Sequence, residues 1–195
     1  MCNVELLWIP LGAGQNVVRA SGRAFEAVMA FVQRRPACDL YHSALVVTVP
    51  DGRYVIEMTP VPDEHGENRG VVAGGAVGSM WLGKLRVFRY EIHRWREGVI
   101  PDIDQAIVAM TLQLDFADAR RLLDLVPSIP TPVWGRDELD AGEMWNSNSV
   151  TSWILHRNGI DTAQLAPPNG GRAPGWDAGL AVAERLVATG ERRGS

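Results

Sequence analysis

Three short stretches of this chain hold residue types that together can do acyl-transfer chemistry. Tyr41-His42-Ser43-Ala44-Leu45-Val46-Val47 puts a histidine at the start of an apolar run, and Tyr54-Val55-Ile56-Glu57-Met58-Thr59-Pro60 sets a carboxylate inside the next one. In Trp145-Asn146-Ser147-Asn148-Ser149-Val150 a serine stands where a polar turn becomes a helical pattern. A base, an orienting acid and a hydroxyl at a helix N-terminus are the parts of a nucleophilic triad. The expected roles are Ser147 as nucleophile, His42 as base and Glu57 as the residue that orients the imidazole. Backbone N–H groups at a helix start point outward and favour negative charge, so the start at Ser147 suits an oxyanion. Asn146, Asn148 and Tyr41 are candidates beside that charge, and Trp145 for an apolar cleft next to it.

Each part also has a plainer explanation. Asn146, Ser147, Asn148 and Ser149 are all good N-cap residues, and capping alone would account for the cluster. Glu57 needs a partner if it is buried, since an unpaired carboxylate in an apolar segment costs several kcal/mol; on an edge strand it would simply face solvent. The register decides whether His42 is that partner. A two-residue turn at Asp51-Gly52 leaves the two residues several positions apart. A four-residue loop over 49–52 pairs Thr48 with Arg53 and puts Glu57 diagonal to His42 on one face.

The elements that must position these residues can be read from period and punctuation. A short strand is expected over 4–9, ended by Pro10. A helix capped by Ser21 carries Phe25, Val28, Met29 and Val32 at helical spacing, and Pro36 stops it. Strands over 42–49 and 53–59 flank Pro50-Asp51-Gly52 as a hairpin. A polar loop follows over 60–70, then a glycine-rich stretch over 71–83, whose 74–79 segment reads as a flexible loop over the sheet, and another strand over 85–95. Helices are expected over 103–110 and 115–125, the second burying Leu122, Leu123 and Val126. Three prolines, Pro127, Pro130 and Pro132, force an extended connection. A further helix runs from Ser147 or Asn148 to Asn158, with Gly159 at its C′ position. The chain reads as one domain over 1–195, with its core in about 1–165 and a Pro/Gly-rich loop and C-terminal helix (near 180–188) over 166–195. Strands clustered early with helices on either side predict an α+β fold, a small antiparallel sheet packed with helices.

His42-Ser43-Ala44-Leu45-Val46-Val47, followed by Asp51-Gly52-Arg53-Tyr54-Val55-Ile56-Glu57-Met58-Thr59-Pro60, resembles the circularly permuted papain-like proteins, which include the lecithin:retinol acyltransferase-like and permuted NlpC-like families. In those, a base histidine opens one strand, a polar residue follows on the next, and the nucleophile comes later in an Asn-Cys motif at a helix start. Asn146-Ser147-Asn148-Ser149-Val150 resembles that motif with serine in place of cysteine. The match covers about twenty residues. It implies a permuted papain-like fold with Ser147, His42 and Glu57 as the triad. The cysteine-to-serine change implies either a serine enzyme or a binding or structural module that keeps the scaffold without the chemistry, because serine offers no thiolate at neutral pH.

The remaining features narrow the field. At 195 residues, 46% hydrophobic and 22% charged, the composition is that of an ordinary globular domain. A net charge of −4 gives no basic footprint, so nucleic acid is not an expected partner; a small-molecule, lipid or peptide substrate is. No apolar run reaches the ~18 residues of a membrane span, the start lacks a signal-peptide pattern, and two cysteines do not make a disulfide framework. The expected compartment is cytoplasmic and reducing. Gly74-Gly75-Ala76-Val77-Gly78-Ser79 lacks the ending of a phosphate loop. His65, His93 and His156 share no metal-ligand spacing, so no metal or organic cofactor is implied. Cys38, four residues before His42, reads as structural, and His156 suits the negative end of its helix.

Overall fold

The computed structural model describes residues 1–11, 34, 36–61, 70–100 and 103–191. The helix expected after Ser21, nearly all of the polar loop over 60–70, His65 and Pro101 lie outside them. The fold is α+β. Six strands, β1 (Cys2–Pro10), β2 (Tyr41–Val49), β3 (Gly52–Pro60), β4 (Val71–Ala76), β5 (Arg89–Arg96) and β6 (Ile107–Leu114), form one sheet in the order β4-β5-β3-β2-β1-β6. Every neighbouring pair is antiparallel. Three helices among the described residues, α1 (Phe116–Leu125), α2 (Ser147–Arg157) and α3 (Trp176–Glu191), complete it.

Period-two alternation divides the sheet into two faces. Leu6 and Trp8 of β1, Leu45 and Val47 of β2, Ile56 and Met58 of β3, and Tyr90 and Ile92 of β5 join the main core. The helices supply its other half, with Leu122 and Leu123 from α1, Val150, Trp153 and Ile154 from α2, and Trp176 and Val182 from α3. The opposite face is also covered, by a smaller cluster of Leu7, Ile9, Ala44, Val46, Val55 and Ile100. Burial on both sides is why 44–47 is an unbroken apolar run instead of an alternating one.

Three tryptophans, Trp8, Trp145 and Trp153, are almost completely enclosed, and their indole N–H groups find no acceptor among the described residues. Each such side chain buries about 150–250 Å², worth about 4–6 kcal/mol at about 25 cal/mol per Å². The unmade hydrogen bond costs about 1–3 kcal/mol, so the packing wins.

α1 begins where Asp115 accepts a hydrogen bond from the Asp118 N–H at 2.7 Å, and it buries Leu122, Leu123 and, just beyond its end, Val126, as the sequence predicts. The hairpin pairs Thr48 with Arg53, as expected of the four-residue loop, but Val49 also pairs with Gly52, so the turn itself is only Pro50 and Asp51. The stretch over 103–110 is not a helix. Only Ile103–Gln105 make a single 3-10 turn, and Ile107–Leu114 form β6 along the outer edge of β1. Its β-branched residues and the open edge of β1 override the local helical spacing. The glycine-rich segment is likewise a strand, β4, and not a flexible loop. It lies against β5, and a Cβ on Gly75 would come 2.6 Å from the Tyr90 hydroxyl oxygen, so glycine there makes room for that ring. The strand expected from residue 85 starts only at Arg89, because Arg86–Phe88 form a 3-10 turn. The core also continues past residue 165. Trp176 meets Trp8 at 4.9 Å between ring centres, and Ala183 and Val182 of α3 are buried with it.

Candidate functional site

α2 is the pivot of the site. It lies against β2 and β3 on one side and α3 on the other, and each residue from Ser147 to Leu155 is buried. Two serines of α2 bond to the start of α3. Ser149 donates to the Gly175 carbonyl at 2.7 Å and Ser152 to that of Trp176, also at 2.7 Å.

Capping falls to Asn146, not to Ser147. The Asn146 side chain accepts from the Asn148 N–H at 2.8 Å, and its own N–H donates to Ser149 Oγ at 3.1 Å, closing a capping box. Asn148 is a buried clamp. Its amide nitrogen donates to the carbonyls of Tyr41 (3.0 Å) and Pro174 (2.9 Å), and its oxygen accepts from Ser43 Oγ at 2.9 Å. Asn146 Nδ2 donates to Pro174 as well. These bonds tie the start of β2 and the 171–175 segment to the start of α2, and the N–H of Gly175 adds a bond to the Glu143 carboxylate at 2.7 Å.

One member of the quartet stays uncommitted. Ser147 occupies the first helical position, and among the described residues neither its hydroxyl nor its backbone N–H has a hydrogen-bond partner. The N–H groups of Asn148 and Ser149 are filled by the Asn146 side chain. Among the described residues, the N–H left without a partner at this helix start is therefore that of Ser147 itself, and the amides of Asn146 and Asn148 hold the scaffold.

Ser147 opens onto a cavity of about 190 Å³ that it shares with His42, Tyr41, Asn146 and Asn148. Leu11, Leu40, Trp134, Met144 and Pro174 supply its apolar wall. The volume is below the ~300–1,000 Å³ of pockets that enclose a whole ligand. Burial, reinforced by the Asp39 carboxylate, raises the pKa of Tyr41, which stays a neutral phenol. Trp145 does not line this cavity. It is 2% exposed in the core, and Trp134, stacked edge-on against Tyr90, is the tryptophan at the wall.

His42 is half-buried at the second residue of β2, where the cavity reaches the end of the strand. Its alternation places it with Ala44 and Val46, on the face away from the main core, while Ser43 turns toward Asn148. Glu57 shares His42's face: Val46 pairs with Val55 on that face, and Glu57 lies two residues beyond Val55 along β3. β3 lies inside the sheet, so Glu57 is half-buried and not on a solvent edge. It is outside the cavity wall.

The register adds a residue that sequence reading passes over. His93 of β5 stands directly opposite Glu57, is 1% exposed, and is hydrogen-bonded to Thr59 Oγ1 at 3.2 Å, with the Glu91 carboxylate 3.7 Å away. His42, Glu57, Thr59, His93 and Glu91 thus share one face of three adjacent strands. The alternation of β5 is visible in the sequence, but its neighbour is not, because β5 inserts between β4 and β3. Among the described residues no group of three His, Cys, Asp or Glu side chains is placed to hold a metal ion, and no helix is long and apolar enough to cross a membrane.

No family model matches this chain, and no curated protein or solved structure does either.

Proposed function

We propose that this chain is a hydrolase or acyltransferase of permuted papain-like architecture that acts on an amide, ester or peptide-like bond through Ser147, His42 and Glu57. The observation that carries the reading is the state of Ser147. In a quartet of good capping residues, the cap, the clamp and the capping-box partner are other side chains, and the hydroxyl without a structural task faces a cavity shared with a histidine. In this mechanism Ser147 Oγ attacks the substrate carbonyl while His42 takes its proton. The Ser147 N–H donates to the developing oxyanion, and His42 returns the proton to the leaving group. A water or a second acceptor then releases the acyl group. Glu57, on the same sheet face as His42, orients the imidazole and stabilises its charged form.

The test is a His42→Ala variant assayed on an activated ester. Its turnover should fall by at least about 10²-fold, the range for loss of a general base, and an undiminished rate would sink the triad.

A second reading has its own support. Strand alternation directs Ser43, and not His42, toward the start of α2, and serine replaces the cysteine of the motif. On that ground the scaffold is a binding module whose cavity holds a ligand arm without cleaving it.

A further inference from the structure

We infer that the turn between β4 and β5 is a docking surface for an anionic lipid bilayer. Met80 and Trp81 are 70% and 71% exposed, and Leu85 is 54% exposed. Trp81 departs furthest from habit, since large aromatic rings are normally mostly buried. Lys84, Arg86 and Arg89 stand exposed around the same turn. From Gly70 to Tyr90 the sequence holds those three basic residues and no acidic one, in a chain with 23 acidic and 19 basic residues overall.

That local reversal of sign decides the partner. Charges are screened over about 10 Å, so a surface touching this turn meets the local cations and not the net −4 of the whole chain. An apolar tip with tryptophan and a surrounding set of Lys and Arg matches the layering of a bilayer interface, where indole rings sit at headgroup depth and cations meet anionic lipid. Two signals are needed, because either alone gives only weak attachment.

The turn is also prepared for contact. Its backbone is held by Gly83 N–H to Ser79 O (3.2 Å), Lys84 N–H to Trp81 O (3.4 Å) and Phe88 N–H to Leu85 O (3.0 Å), so little ordering is left to be done on docking. At its base Gly78 N–H donates to the carbonyl of Trp134, the tryptophan of the cavity wall. Docking here would bring the cavity toward the membrane surface. The inference does not depend on what Ser147 does.

The test is sedimentation of the full chain with vesicles of phosphatidylcholine, with and without phosphatidylserine. The expected result is binding that rises with phosphatidylserine. It should weaken at least about tenfold in Lys84→Glu/Arg86→Glu, where two cation contributions are reversed, and separately in Trp81→Ser. These side chains are exposed, so circular dichroism should show both variants folded. Absent binding, equal binding to both vesicle types, or binding unchanged in either variant would overturn the inference.

Discussion

Ser147→Ala should lower turnover about ten thousand-fold or more, the scale expected when a nucleophile is removed from a unit that acts together, while the melting temperature stays where it is. The two halves of that expectation have separate grounds. Turnover falls because no other hydroxyl at the helix start is free to attack. Ser149 Oγ and Ser43 Oγ each donate to a fixed acceptor. Stability holds because Ser147 makes no hydrogen bond among the described residues and is not the cap, and alanine is a good helix former at that position. Asn146→Ala, which removes the real cap, should show the opposite pattern in a melt, a loss of about 1–2 kcal/mol. If Ser147→Ala melted like Asn146→Ala, the serine would be structural and the assignment would be wrong.

The largest expected effect on stability comes from Gly179→Ala. Gly179 lies in the first turn of α3 where that helix crosses α2, and a Cβ there would overlap both Ser152 Oγ and the carbonyl oxygen of Ser149. Alanine gains up to ~1 kcal/mol in helix propensity. That gain is outweighed, because the obstruction includes the backbone of α2, and overpacking of this kind costs about 3 kcal/mol. For a chain of this length such a loss lowers the melting temperature by about 10 °C. Turnover should fall with it, since Ser149 closes the capping box that positions Ser147. A melting temperature that rose in Gly179→Ala would show that the two helices are not packed this closely.

Local chemistry made much of this architecture legible. Gly52 and the β-branched runs on either side of it placed the central hairpin, and the pairing of Thr48 with Arg53 put Glu57 on the face of His42. The polar quartet before Val150 located the start of α2, and Gly159, with φ of 77°, stands just beyond its end. What stayed hidden was set by tertiary pairing. The 103–110 segment looks helical until the free edge of β1 is known, and Gly74 and Gly75 look like a loop until β5 lies alongside, where a Cβ on Gly74 would meet the Tyr90 carbonyl and one on Gly75 the Tyr90 ring. The division of labour inside Asn146–Ser149 was also invisible. All four residues can cap a helix, and only the positions of Pro174, Gly175 and Tyr41 decide which ones are engaged. His93 is hidden in the same way, since nothing local shows that β5 lies beside β3.

The most direct test of the central claim is reaction of the purified protein with a fluorophosphonate, with the modified peptide mapped by mass spectrometry. Such probes form a covalent bond with a serine only when a base activates it. The expected result is a single adduct on Ser147 that disappears in His42→Ala. An adduct on another serine, or labelling of Ser147 that persists without His42, would contradict it.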